Sequence, residues 1–116
     1  MTTLYWYSGC STCKRARKFL AAHDVAPTVV ELKTDPPGSA TLADLHRRSG
    51  LPLKKFFNTA GQSYRNGGFK DRLSLMSEQE QYDALAADGM LIKRPILDLG
   101  AVVLVGFKDA VWSEAL

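Results

Sequence analysis

The sequence predicts an α/β protein with a mixed β-sheet, and three features of its 116 residues support that prediction. Residues 2–7 are rich in aromatic and β-branched side chains and predict a first strand. A helix-forming segment over Ser11–Ala22 and a second strand over residues 28–32 follow, and this spacing predicts two parallel strands joined by a helix. Two apolar segments, residues 90–99 and 101–105, predict strands of an antiparallel hairpin.

Composition indicates an ordinary folded protein. Apolar residues make up 46% of the chain and charged residues 23%, so we expect a single domain over residues 1–116. The formal net charge of +3 is modest and mixed with acidic residues, and we expect no direct contact with nucleic acid. Because no apolar run approaches about 18 residues and the first residues do not resemble a secretion signal, we expect a cytoplasmic protein without membrane contact.

A helical insertion is predicted between the second strand and the hairpin, over about residues 39–88. One helix of this insertion ends at Gly50, and residues 51–57 form a short turn. Ser77 and Glu80 have the spacing of a capping box and predict the start of another helix, and a last helix follows the hairpin. The order β-α-β, helices, β-β-α is that of a thioredoxin-like fold with a mixed sheet and an insertion.

The two cysteines of the chain are three positions apart, in Cys10-Ser11-Thr12-Cys13, where the first strand turns into the first helix. A helix start stabilises a thiolate through free amide hydrogens and the helix dipole, which predicts Cys10 as a nucleophile. Cys13, one turn later, is placed to resolve a mixed disulfide on Cys10.

Other residues around the motif are candidates for binding a substrate. The amides and hydroxyls of Ser11 and Thr12 favour a thiolate or a small oxyanion, and Lys14 and Arg15 add positive charge. For the basic residues the alternative is a solvated helix face. The helix itself is predicted to direct Ala16, Phe19 and Leu20 to the core.

Half of a zinc site is the alternative for the cysteine pair. It would need two further ligands, and His23 and His46 are not spaced as a ligand pair, so we expect no metal. We expect His23 to lie at the end of the first helix and His46 on an exposed helix face.

Arg94-Pro95 precedes the first strand of the hairpin, where a cis peptide would expose the preceding backbone. In thioredoxin-like proteins a proline at this place faces the reactive cysteine. The alternative is an edge-strand proline beside a solvated arginine.

Four segments together resemble the ArsC/Spx family. They are residues 8–16, 53–61, 88–95 and 105–107, and the resemblance spans nearly the whole chain. The family has a thioredoxin fold with a helical insertion, and it includes glutathione-coupled arsenate reductases, related thiol reductases and Spx-type regulators of RNA polymerase.

By this resemblance Cys10 is similar to the reductases' nucleophile and Arg94 to one of their oxyanion-binding arginines. Their other arginines are not matched, since this chain has Lys54 and Lys55 in the middle segment and Phe107 and Lys108 after residue 106. Lysine is a poorer bidentate clamp, which argues against arsenate as the substrate.

The resemblance implies one of two functions. The first is a thiol-disulfide oxidoreductase with no tightly bound cofactor, with glutathione as co-substrate and glutathione or glutaredoxin as partner. The alternative is a redox-sensing regulator that binds the C-terminal domain of the RNA polymerase alpha subunit. The second cysteine is similar to the Spx switch, but the chain lacks the longer C-terminal tail typical of Spx, and we favour the reductase.

Overall fold

The computed structural model describes residues 2–116 and contains a four-stranded sheet covered by helices on both faces. The strands are β1 (Thr3–Trp6), β2 (Thr28–Glu31), β3 (Ile96–Asp98) and β4 (Val103–Val105). The helices are α1 (Ser11–Ala22), α2 (Ser39–Ser49), α3 (Gln62–Asn66), α4 (Phe69–Arg72), α5 (Glu78–Ala87) and α6 (Asp109–Ala115). Short 3-10 turns lie at Leu53–Phe56, Leu73–Leu75 and Gly89–Leu91.

The sheet has the strand order β2-β1-β3-β4 and is mixed. β1 pairs with β2 in parallel, with Leu4 opposite Val29, and pairs with β3 antiparallel, with Leu4 opposite Leu97. β3 and β4 form the antiparallel hairpin. The predicted mixed sheet is therefore confirmed, and the C-terminal ends of β1 and β2 meet the N-terminal end of β3 at one edge.

Alternating side chains of the central strands divide the core into two clusters. Leu4 and Leu97 pack with α1 and with Trp112 of α6. Their neighbours Tyr5 and Ile96 belong to the cluster formed with the helices between β2 and β3. Since successive strand residues point to opposite faces, the sheet lies between two helical layers.

Local signals set most helix ends as predicted. Gly50 closes α2 in the left-handed conformation, with φ of 68°, which a glycine adopts without strain. Ser77 and Glu80 form the capping box that begins α5, with hydrogen bonds of 3.1 Å and 2.8 Å.

The prediction of one continuous strand over residues 90–99 is wrong, because β3 contains only Ile96–Asp98. Residues 89–91 form a 3-10 turn, and Gly89 lies so close to the end of β2 that a Cβ there would collide with the carbonyl oxygen of Leu32. Ile92 makes an isolated bridge with Phe57. The segment before Pro95 therefore bonds to the insertion between β2 and β3. The hydrogen-bonded pairing of β3 with its neighbouring strands begins after the proline.

Within residues 2–116 the structure contains no helix that is both long enough and apolar enough to cross a bilayer.

Candidate active site

Cys10 lies where β1 passes into α1, at the sheet edge shared with the start of β3. Its backbone is extended, with φ of −97° and ψ of 120°, and its side chain caps α1. The Cys13 backbone N–H donates to the Cys10 Sγ at 3.4 Å, and the Cys10 N–H donates to the Tyr7 carbonyl at 3.0 Å. The thiol is half-buried and not in a disulfide. A sulfur at this N-cap position occupies the place where a helix stabilises negative charge.

The surroundings of Cys10 favour its thiolate. Burial raises the pKa of the Cys10 thiol, but hydrogen bonds from the Cys13 backbone and thiol, the charge of Arg94 and a hydrogen bond from the Thr12 backbone outweigh it. The net effect holds the pKa below its ordinary value. Since the thiolate is the reactive form of a cysteine, this environment is the one a nucleophilic cysteine needs.

Cys13 has the opposite environment. It is fully buried, and burial raises the pKa of its thiol to about 12, with the hydrogen bond to Cys10 and the charge of Cys10 acting in the same direction. Cys13 therefore remains a protonated thiol beside the Cys10 sulfur. The pair combines an activated sulfur at the surface with a protonated one beneath it.

Arg94 and Pro95 bring positive charge to the same edge. The Arg94–Pro95 peptide bond is cis, and Pro95 is buried at the start of β3. The Arg94 guanidinium donates to the Met90 carbonyl at 3.1 Å and lies 5.1 Å from the centre of the Tyr7 ring. Its charge contributes to the lowered pKa of Cys10, so the cation and the thiol act on each other across the edge.

The other predicted binding residues lie on the first turn of α1. Ser11 is exposed, and Thr12 contributes its backbone amide to Cys10. The Thr12 hydroxyl accepts a hydrogen bond of 3.3 Å from Arg15. Lys14 is exposed on the same helix. Of the predicted cations, Arg94 is therefore the one whose charge acts on the Cys10 thiol, and Arg15 turns toward its own helix.

Two residues that support the site are missing from the sequence predictions. The Glu31 carboxylate, at the end of β2, accepts the Ser8 N–H at 3.2 Å, and hydrogen bonding from Ser8 holds the pKa of Glu31 below its ordinary value. Tyr7 packs against Gly9 and Arg94. The one available signal was that Tyr7 directly follows β1 and Glu31 ends β2, since the C-terminal ends of these parallel strands meet at a single edge.

The two histidines lie apart from the cysteines. His23 ends α1, stacks on Phe19 and makes a hydrogen bond of 2.9 Å to the Phe19 carbonyl oxygen. The expectation that His46 is exposed is wrong, because it is half-buried between α2 and α5 with its Nδ1 2.6 Å from the Tyr82 hydroxyl. Among residues 2–116 no three His, Cys, Asp or Glu side chains are grouped so as to hold a metal ion.

Cys10 is half-buried, and the two best-defined cavities of the structure are not at this sulfur. Two shallow cavities of about 340 and 420 Å³ lie elsewhere, one on the inserted helices beside Lys54 and Lys70 and one beside Arg17 and Val25. Neither is lined by Cys10.

Comparisons with known proteins identify sequences similar to this chain. The sequence model of the ArsC family matches residues 5–115. The chain is 46% identical to Bacillus subtilis YusI over 112 residues, which covers 97% of this chain and 95% of that protein. It is 27% identical to an arsenate reductase of Rhizobium meliloti over 95 residues, covering 82% of this chain and 66% of that protein.

Solved structures give the same result. An ArsC family related protein from Bacteroides fragilis has a TM-score of 0.94 and 38% identity, and the match covers 99% of this chain and 97% of that one. The predicted resemblance and the thioredoxin-like α/β fold are confirmed. With the family model matched from the first strand to the last helix, the chain belongs to the ArsC family.

Proposed function

We propose that this protein is a thiol-disulfide oxidoreductase in which Cys10 is the nucleophile and Cys13 the resolving cysteine. The observation that carries the proposal is the opposite tuning of the two thiols, with the pKa of Cys10 lowered at a helix start and that of the buried Cys13 raised to about 12. The chain belongs to the ArsC family and is similar to an arsenate reductase, and both findings support the same reaction class.

The reaction begins at Cys10. Its thiolate attacks one sulfur of a substrate disulfide, a new S–S bond forms to Cys10, and the other substrate sulfur leaves as a thiolate that takes a proton from water. Arg94 supplies positive charge next to the reacting sulfur and would hold an anionic group of the substrate.

Resolution follows at Cys13. Its thiol gives up a proton and attacks the Cys10 sulfur, which forms the Cys10–Cys13 disulfide and releases the second substrate thiol. Once Cys10 is in a mixed disulfide its negative charge is gone, which removes one of the effects that raise the pKa of Cys13. Two electrons have then passed from the cysteine pair to the substrate.

Regeneration needs an external reductant. We propose glutathione, either directly or through a glutaredoxin, as the donor: two glutathione thiols reduce the Cys10–Cys13 disulfide and leave as glutathione disulfide. Glutathione could also resolve the Cys10 adduct in place of Cys13. No tightly bound cofactor is required for either route.

Trapping the intermediate tests the proposal. Cys13→Ser protein mixed with glutathione disulfide should accumulate a glutathione adduct on Cys10, whereas wild-type protein should pass on to the intramolecular disulfide. Cys10→Ser, which keeps Cys13, is the matched control and should form neither product. Mass spectrometry after acid quenching reads all three, and adduct formation on Cys13 in the control would contradict the assigned roles.

A redox-sensing regulator is the second candidate, because the same cysteine pair would serve as a switch for binding the RNA polymerase alpha subunit. A pull-down with the C-terminal domain of that subunit, run with reduced and with oxidised protein beside a glutathione-coupled reductase assay, separates the two. Turnover without capture supports the oxidoreductase, and redox-dependent capture without turnover supports the regulator.

A further inference from the structure

Tyr7 occupies the centre of the site edge. It follows β1, which lies between β2 and β3 in the sheet. Its ring has the Arg94 guanidinium 5.1 Å from its centre and the Lys33 ammonium at 6.0 Å. Lys33 follows β2 and Arg94 precedes β3, so the tyrosine stands between cations from the two neighbouring strands.

The same tyrosine contacts the loop that carries the nucleophile. Its carbonyl accepts the Cys10 N–H at 3.0 Å. Its ring lies against Gly9, where an added Cβ would be 2.7 Å from the ring carbon Cζ. A larger residue at that place would require the Tyr7 ring to move, so the backbone before Cys10 lies against the aromatic ring.

Arg94 is otherwise held by one neutral contact. Its guanidinium donates to the Met90 carbonyl at 3.1 Å. One hydrogen bond at one nitrogen does not define the orientation of a planar group with several donors, and the face of an aromatic ring supplies a second constraint. The Tyr7 ring thus contacts both the Arg94 guanidinium and the loop that carries Cys10.

We propose that Tyr7 is a positioning residue, whose ring fixes the Arg94 guanidinium beside the Cys10 sulfur and so makes this thiol selective for negatively charged reaction partners. The inference deepens the proposed function and rests on Cys10 as its nucleophile. Tyr7 acts through Arg94 and takes no part in bond making itself.

Stoichiometric alkylation measures this selectivity without any turnover. In a Cys13→Ser background, the rate with anionic iodoacetate is divided by the rate with neutral iodoacetamide, at a pH where Cys10 is fully ionised. This ratio reports local charge and is independent of how much thiolate is present. Tyr7→Leu should lower the ratio by about threefold or more, whereas Tyr7→Phe, which keeps the ring, should restore it.

Two further variants test whether the effect passes through Arg94. Arg94→Gln should lower the ratio, and adding Tyr7→Leu to it should cause no further fall. Lys33→Gln is the matched control, because it also removes a cation near the Tyr7 ring. The charge of Lys33 acts on the neighbouring Glu31 carboxylate, whose pKa it helps to lower. We expect its ratio to equal that of the parent protein.

Independent effects of Tyr7→Leu and Arg94→Gln, or a Tyr7→Leu ratio equal to that of the parent, would overturn the inference. If Tyr7→Leu does not fold by circular dichroism, Tyr7→Met provides an apolar side chain of similar length for the same comparison. If the protein shows the expected rate ratios but reduces no disulfide, the role of Tyr7 is supported and the proposed function is wrong. If it reduces disulfides but the ratios do not change, the proposed function is supported and the role of Tyr7 is wrong.

Discussion

Cys10 and Cys13 are separated by one helical turn, yet the fold gives them opposite environments. The first sulfur caps α1 and is affected by the charge of Arg94, whereas the second belongs to a fully buried residue. A nucleophile needs a stable anion, and a resolving thiol must stay protonated until its partner is modified. The sequence motif predicts the pair, and the burial of Cys13 makes Cys10 the more readily ionised of the two.

The pH profile of Cys10 should reflect this environment. In Cys13→Ser protein, the thiolate absorbance and the alkylation rate should rise together at a midpoint below about 8.5, the value of a free thiol. Arg94→Gln should move the midpoint upward, because the cation that favours the thiolate is lost. A midpoint at or above the free-thiol value would contradict the assignment of Cys10 as the activated sulfur.

The same shift affects stability with a defined sign. Because the pKa of Cys10 is lowered in the folded protein, its ionisation stabilises the fold above the pKa of the unfolded chain. That contribution is lost as the pH falls through the folded pKa. Comparing Cys13→Ser with the double variant that also has Cys10→Ser, by urea unfolding across this range, isolates the contribution.

Replacing Arg94 by lysine tests the geometry of this cation separately from its charge. Arg94→Lys keeps the positive charge but removes the planar donors, and we expect kcat/KM for an anionic disulfide to fall by an amount equivalent to about 1.5–3 kcal/mol. The melting temperature should change little, since Arg94 is half-buried and makes one hydrogen bond to the Met90 carbonyl. Unchanged kinetics, or a large fall in melting temperature together with activity, would assign Arg94 a structural role.

Among the elements, α2 shares apolar packing with the β3–β4 hairpin and also forms an ion pair with it through Arg48. The Nη1 and Nη2 nitrogens of Arg48 donate to the two carboxylate oxygens of Asp98 at 2.6 and 2.9 Å, and Nη1 also donates to the Gly100 carbonyl at 2.8 Å. Both side chains are mostly removed from water, with 24% and 18% of their surface exposed. The contact fixes the hairpin whose first strand begins directly after Pro95.

Removing this pair should destabilise the protein in a pH-dependent way. Arg48→Met should lower the free energy of unfolding at neutral pH by about 1–2 kcal/mol, because Asp98 loses its partner while water still reaches the pair. Arg48 holds the pKa of Asp98 below its ordinary value, so the contribution is present above about pH 4 and disappears as the pH falls through the folded pKa.

Arg47→Met is the matched control for that experiment. Arg47 is 75% exposed and, within residues 2–116, forms an ion pair only with Asp44, so its replacement should change the free energy of unfolding by less than about 0.5 kcal/mol. Urea unfolding of both variants at neutral and acidic pH makes the comparison. Equal destabilisation by the two substitutions would mean that the contact between α2 and the hairpin has no special importance.

Elements defined by neighbouring residues were predictable from the sequence. The capping box of Ser77 and Glu80, the left-handed Gly50 and the strand-to-helix turn at Cys10 all depend on residues within one turn of each other. The prediction of a strand over residues 90–99 was wrong because the first half of this segment bonds to residues far away in the sequence. An example is the hydrogen bond of 2.8 Å from the Lys93 N–H to the Phe56 carbonyl. Apolar character alone does not tell which neighbour a segment pairs with.

In the candidate site, too, residues with a local sequence signal were predictable and residues brought together by the fold were not. Cys10, Cys13, Arg94 and Pro95 carry signals in the motif or in the resemblance. Tyr7 and Glu31 do not, since their roles arise from strands that become neighbours only in the folded sheet. His46 was misplaced for the same reason, because its partner Tyr82 is 36 positions away.

For the whole molecule, the central strands connect the two halves of the core. β1 contributes Leu4 to the cluster under α1 and α6, and its neighbour Tyr5 to the cluster under the inserted helices. A strand that loses its packing on one face also loses its position on the other. We therefore expect the two clusters to unfold together.

The buried thiol of Cys13 offers a test of that cooperativity. In a Cys10→Ser background, Cys13 can be alkylated only when the protein opens, and under slow labelling the rate follows the population of the open form. Leu20 of α1 and Leu85 of α5 are matched probes, because both are fully buried helical leucines and they lie in different clusters. Each change to alanine should lower the free energy of unfolding by about 2–5 kcal/mol.

If the molecule unfolds as one unit, both leucine variants should accelerate Cys13 alkylation by the same factor per unit of lost stability, about tenfold for 1.4 kcal/mol. Leu85→Ala is the decisive variant, since its side chain lies in the cluster that does not contain α1. Were it to lower the urea midpoint without accelerating alkylation, α1 would open independently of the inserted helices. Cys13 would then reach the surface through a local motion of α1, which would give the resolving step its own conformational barrier.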